Sequence, residues 1–304
     1  MSDSVVLALD VGGTKLAVGL VDDTGRVLAS RRAATPAASP ERALTALIDD
    51  LIGDAVTVDA VGIGCGGPMS WPAGRVSPVN ILAWRDFPLR DMLAERFSGR
   101  PVRLLNDAIC LAIAEHWQGA GRGVRDLLGM VVSTGVGGGL VLGDRVVAGR
   151  TGNAGHIGHV VVDPEGPVCG CGGRGCLEAI ARGPALVAWA RERGWAGADG
   201  KELAESARVG DEVARAAFAR AGRAVAVAVA GAATTLDLSL VVIGGGIAAA
   251  GDVLFAPLRE ELHARARLDF VRDLRVVPAS LGEQAGLIGA AALVLAGERY
   301  WPVD

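Results

Sequence analysis

Short β-branched apolar runs alternate with longer stretches of helical spacing along this chain, and glycines cluster where one gives way to the next. The opening segment, VVLALDVGGTKLAVGLVDDTGRVLAS (5–30), predicts three strands separated by a tight glycine turn and by Asp-Thr-Gly. Apolar periodicity then predicts a helix over 40–52, and AVGIGCGG (60–67) a buried strand. A helix is expected over 87–97, a strand over 101–107 that ends in polar residues, and another helix in AICLAIAEHWQGA (108–120). LGMVVSTGVGGGLVLGDRVVAG (128–149) repeats the opening pattern of strand, glycine turn, strand, turn, strand. Each copy begins one half of the chain, which marks an internal duplication. Later, SLVVIGGGIAAAGDVLFAPL (239–258) runs from a strand through glycines into a helix, and AGLIGAAALVLAGERYW (285–301) is a C-terminal helix. Strands alternating with helices in both halves predict an α/β protein.

Composition narrows the picture. With 304 residues, 51% hydrophobic and 21% charged, the chain suits two globular domains rather than disorder. The net charge of −4 offers no basic field, so no nucleic-acid partner is expected. The start of the chain lacks a leader pattern. Residues 224–251 carry a single charge, Asp237, and match a membrane span in length. They are mostly Ala, Gly and Val, and a buried helix entering a buried strand accounts for them. A cytoplasmic protein with no membrane partner is the expectation. Cys65 and Cys110 stand alone among apolar residues and read as core, whereas Cys169, Cys171 and Cys176 are clustered.

Three glycine turns and one acidic pair carry candidate chemistry. In DVGGTK (10–15), glycines let backbone amides approach an anion, and Thr14 and Lys15 can donate to it. Asp10 could orient a magnesium ion through its waters. A hairpin that merely needs glycine fits the same residues. STGVGGG (133–139) repeats the logic with hydroxyls, and Gly244, Gly245 and Gly246 follow a strand where a nucleotide could lie. Neither a Walker loop nor the dinucleotide glycine pattern is present. Asn106-Asp107 sits between a strand and a helix. It fits a helix N-cap, or a carboxylate that takes a proton from an attacking hydroxyl. His159 with Cys169, Cys171 and Cys176 makes one His and three Cys in C-x-C-x₄-C spacing, with Gly170, Gly172, Gly173 and Gly175 supplying turns. Such a set closes a four-coordinate zinc ion without an open position, so this zinc would be structural.

Taken together, DVGGTK, ND (106–107), STGVGGG, GHIGH (155–159), CGCGGRGCLE (169–178) and the late GGG resemble the ROK family of repressors, open reading frames and sugar kinases. The resemblance runs over essentially the whole chain. It implies the actin-like, hexokinase-like (RNase H-like) ATPase fold, with two α/β domains flanking a cleft, and a homodimer or dimer of dimers. The expected domains are 1–108 with 285–304, whose helix returns, and 109–284 with the zinc loop. The implied reaction is transfer of the ATP γ-phosphate, with Mg²⁺, to the 6-hydroxyl of a hexose. Asp107 matches the family's base. Asn106, Gly67, Asn80, His156, His159 and Glu178 fall at sugar-contacting positions. Asp10, Gly12, Gly13, Thr14 and Lys15 match the first phosphate motif, Thr134, Gly135 and Gly137 the second, and Gly244, Gly245 and Gly246 the adenosine side. The family's zinc ligands match His159, Cys169, Cys171 and Cys176.

His156 departs from the family's glucokinases, many of which carry Glu there. Imidazole donates as well as accepts, so hydroxyl selectivity should change. N-acetylmannosamine kinases of the family have a similar G-H-x-G-H, and so do glucokinase-like members. Residues 77–89, SPVNILAWRDFPL, resemble the acceptor-side segment of glucokinase-like members, so glucose leads and N-acetylmannosamine, mannose or a cyclitol follows. Polyphosphate is the alternative donor. Family repressors carry a DNA-binding segment of several dozen residues ahead of the phosphate motif. Only nine residues precede Asp10, which disfavours a sugar-sensing regulator.

Overall fold

The computed structural model describes residues 4–53 and 56–302. The chain divides into two compact units: residues 1–125, 139–155 and 283–304 form one, and 126–138 with 156–282 the other.

The first unit is built on a five-stranded sheet. Strand β1 (Val6–Val11) pairs antiparallel with β2 (Lys15–Val21) and parallel with β4 (Ala60–Cys65); β3 (Val27–Ala34) and β7 (Val102–Asn106) close the two edges. Alternate residues of β1 serve opposite faces, as strand geometry requires. Leu7 and Leu9 enter one cluster with Leu44 and Ile48 of helix α1 (Pro40–Ile52) and with Leu89 and Leu93 of α2 (Leu89–Arg96). Val6 and Ala8 enter the other with α3 (Asp107–Trp117) and α9 (Ala285–Leu295). A two-stranded hairpin, β5 (Met69–Ser70) with β6 (Arg75–Val76), follows the cis Gly67–Pro68 peptide.

The second sheet has the order β10 (Arg145–Val147), β9 (Val136–Leu142), β8 (Leu127–Val132), β11 (Leu240–Gly244), β12 (Arg275–Pro278). The first sheet runs β3-β2-β1-β4-β7, so each begins with three consecutive strands and adds two parallel ones on the far side. The duplication read from the glycine turns is thus a duplication of topology. Helices α4 (Leu177–Ala181), α5 (Gly183–Arg191), α6 (Gly200–Arg208), α7 (Glu212–Leu236) and α8 (Asp252–Arg265) lie in the second unit with β8, β11 and β12. Helix α7 is long and apolar enough to span a membrane, but 56% of that stretch is buried inside the protein. It leads into β11, whose five residues are all buried.

The domain boundaries differ from those expected. Residues 109–125 and 139–155 belong to the first unit, not the second. Packing is the reason: Val146 and Ala148 share a core with Ile109 and Ile113 of α3 and with Ala290 of α9. Residues 1–3 and 303–304 of the expected first domain lie outside the described residues.

Candidate active site

In the first unit, β1 delivers Asp10 and then turns at once. The Gly12 amide donates to the Lys15 carbonyl at 3.0 Å, closing the turn that leads into β2. Burial raises the Asp10 pKa, while Lys15 and Arg32 pull it back. Asn80 seats directly on the turn, since a Cβ on Gly13 would stand 2.3 Å from the Asn80 Cβ. The Gly67 carbonyl accepts the Val79 amide at 3.1 Å, which ties the Asn80 segment to the end of β4. Gly13, Gly67 and Asn80 therefore come together, as do Asp10 and Asp107.

Both side chains of the Asn106-Asp107 pair reach the first amide of α3. Asn106 is the helix cap: it is buried, and its Oδ1 accepts the Ala108 amide at 3.0 Å while its Nδ2 donates to the Cys65 carbonyl at 3.4 Å. Asp107 Oδ1 also accepts the Ala108 amide, at 2.8 Å. Burial, with a smaller push from the Asp10 charge, raises the Asp107 pKa to about 6. Backbone amides offset part of the rise. A carboxylate tuned upward toward neutrality is what a general base requires.

In the second unit, Ser133 and Thr134 edge a cavity of about 800 Å³, with Gly246 on its rim and α5 and α6 forming its walls. The Ser133 amide donates to the Gly135 carbonyl at 2.9 Å, and Gly137 lies one residue into β9. Gly244 ends β11, and Gly245 takes φ +99°, where its missing Cβ would strike the Val132 carbonyl at 2.5 Å. Only glycine carries the chain so close to β8 in that conformation. The cavity volume suits a nucleoside.

The four donors His159, Cys169, Cys171 and Cys176 lie within 4.8 Å of one another. Tetrahedral zinc with Zn–S bonds of about 2.3 Å puts two sulfurs about 3.8 Å apart. The Sγ atoms of Cys171 and Cys176 are 3.7 Å apart, and Cys169 Sγ lies 3.7 Å from His159 Nδ1. The residues fit a closed zinc site. His156 stacks its ring on His159 at 6.1 Å between centroids. Two residues past Cys176, Glu178 accepts the Val136 amide on Oε2 at 2.8 Å.

A model of the ROK family matches residues 6–296. The chain belongs to the ROK family. It is 38% identical to a glucokinase of Thermotoga maritima, covering 95% of this chain and 96% of that one. It is 39% identical to an N-acetylmannosamine kinase of Escherichia fergusonii, covering 96% and 99%. The ROK glucokinase of Streptomyces griseus, solved with glucose and AMPPNP, superposes with a TM-score of 0.86 at 35% identity, over 97% of this chain and all (100%) of that one. The fold of this ROK chain is accordingly the actin-like, hexokinase-like one.

Two parts of the candidate site escaped the sequence reading. The α5–α6 wall is fixed by arginines whose donors are spent on backbone: Arg191 on the Gly197 and Ala198 carbonyls, Arg208 on those of Ala249 and Ala250. Its one local signal was a capping box. Asp199 accepts the Lys201 and Glu202 amides, and Glu202 returns to accept the Ala198 amide at 2.8 Å. The other is Gly286 in α9, where a Cβ would meet the Asp10 carboxyl at 2.5 Å. Nothing local in the sequence points from one to the other.

Proposed function

We propose that the protein is an ATP-dependent hexose kinase, acting on the 6-hydroxyl, with glucose as its lead acceptor. The observation that carries this reading is Asp107, a half-buried carboxyl raised to about 6 at the head of α3, where Asn106 shares the capping of the Ala108 amide. As the sugar oxygen attacks the γ-phosphorus, its proton passes to Asp107 and ADP departs. Asn106, Gly67, Asn80, His156, His159 and Glu178 orient the sugar. The amides of Gly12 and Gly13 with Thr14 and Lys15, and those of Gly135 and Gly137 with Thr134, hold the phosphates; Gly244, Gly245 and Gly246 border the nucleoside. Asp10 would hold Mg²⁺ through its waters, and that ion neutralises phosphate charge. Zinc on His159, Cys169, Cys171 and Cys176 would shape the loop that presents His156 and Glu178. The likeness to glucokinases supports glucose, and ATP over polyphosphate as donor. We read the protein as a cytoplasmic homodimer.

His156 favours one second reading. An imidazole that can donate suits an acceptor whose substituent carries a carbonyl oxygen, and so N-acetylmannosamine. A coupled ADP assay over glucose, mannose, N-acetylmannosamine and cyclitols, with ATP and polyphosphate as donors, tests both. The highest kcat/KM is expected for glucose with ATP. A higher value for N-acetylmannosamine moves the assignment to the second reading, and no turnover with any sugar removes both.

A further inference from the structure

The turn over residues 133–137 is gripped by the loop that carries the metal set, through contacts within the second unit. Glu178, in the first turn of α4, accepts the Val136 amide at 2.8 Å. The Val136 carbonyl lies 2.0 Å from where a Cβ on Gly158 would stand, so the stretch between His156 and His159 packs flush on the next peptide. Just past α4, the Gly183 amide donates to the Ser133 carbonyl at 2.8 Å. Gly135 completes the seat, because a Cβ there would come 2.9 Å from Glu178 Oε2. A carboxylate with Oε2 on an amide keeps its other oxygen to accept from a sugar hydroxyl.

We propose that Glu178 is a positioning residue for the donor side of the reaction, fixing the second phosphate turn and joining sugar binding to nucleotide binding through one carboxylate. The inference rests on the kinase reading above. An ionised acceptor makes the stronger kind of hydrogen bond to a backbone amide. Without it, among the described residues, the Ser133–Thr134 edge of the cavity is left with the turn's own Ser133–Gly135 bond and the Gly183 contact. A sugar that engages the free oxygen steadies the carboxylate, and with it the turn. By linkage, nucleotide must strengthen sugar binding by the same factor.

The test is calorimetric titration of AMPPNP, with and without glucose, into the wild type and into Glu178→Ala, Glu178→Gln and Glu178→Asp, each checked by its melting curve. The wild type should bind AMPPNP without sugar, and more tightly with glucose. Glu178→Ala should lose about tenfold in sugar-free AMPPNP affinity, the scale of a lost hydrogen bond to a charged group. Glu178→Gln, whose amide oxygen still accepts the Val136 amide but without the charge, should lose only about threefold. Glu178→Asp, one methylene short, should follow Glu178→Ala, and it carries the comparison if the alanine variant does not fold. AMPPNP binding equal to wild type in both Glu178→Ala and Glu178→Asp overturns the proposal, as does an equal loss in Glu178→Gln. A wild type that binds no AMPPNP overturns the kinase reading itself.

Discussion

Replacing Asp107 with Asn should abolish turnover and make the protein more stable. An ordinary aspartate has a pKa of 3.8, and in the fold this one is raised to about 6. Below pH 3.8 the group is neutral in both states and has no effect. As pH rises from 3.8 to about 6 the unfolded chain ionises this carboxyl while the fold holds it protonated, so stability falls across that window and changes no further above it. At roughly 1.4 kcal/mol for each tenfold change in proton affinity, the full cost is about 3 kcal/mol at pH 8 and about half that at pH 5. Asparagine keeps an oxygen for the Ala108 amide and never ionises, so it escapes the cost. The figure is an upper bound, because the amide–carboxylate bond to Ala108 is itself stronger than its neutral replacement. For units of this size the melting temperature should rise by roughly 5–10 °C at pH 8, and by less at pH 5. Scanning calorimetry of both proteins at the two pH values reads the difference, and kcat measured alongside should fall by about 10²–10⁴. A variant no more stable at pH 8, or an advantage that does not shrink at pH 5, refutes the burial argument.

Wild-type kcat/KM should fall below pH 6 with a slope of one, since Asp107 must be ionised to accept a proton; a flat profile from pH 5 to 8 counts against it. Elemental analysis should find one zinc per chain, and Cys176→Ser should lose both the metal and several degrees of melting temperature; a metal-free wild type of full stability contradicts the zinc reading. Gly286→Ala should push the Asp10 carboxyl aside and cut kcat at least tenfold, with a raised Mg²⁺ requirement. Unchanged magnesium dependence in a folded Gly286→Ala protein places Asp10 outside the metal chemistry.

What the sequence disclosed is what neighbouring residues enforce. Helix α1 begins and ends where its periodicity and Pro40 put it, at 40–52. Strand β4 stops at Cys65, two residues short of the expected 67, where the chain leaves the sheet through Gly66 and Gly67. The β5–β6 hairpin was invisible, since strands of two residues have no period to read. Of the site, the Cys and His set was legible because its three cysteines fall within eight residues and its histidine ten residues before them. Asp107 was ambiguous in the sequence, because a cap and a base have the same residue type at that place, and only the fold sets it beside Asp10. The Glu178–Val136 bond spans 42 residues, and Gly286 meets Asp10 from the far end of the chain. Such contacts are fixed by packing, not by local pattern. The compact units divide elsewhere than the expected domains for the same cause, as Val146 and Ala148 follow the second glycine turn in sequence but share the first unit's core.

The central claim is that Asp107 deprotonates a hexose 6-hydroxyl as it attacks ATP. The most direct measurement is ADP release with glucose and with 6-deoxyglucose, with the sugar product identified by NMR. The account predicts ADP in step with glucose 6-phosphate, no sugar phosphate from 6-deoxyglucose, and loss of both ADP and product in Asp107→Asn. Phosphorylation of 6-deoxyglucose, a phosphate at another hydroxyl of glucose, or wild-type turnover by the Asp107→Asn protein would contradict it.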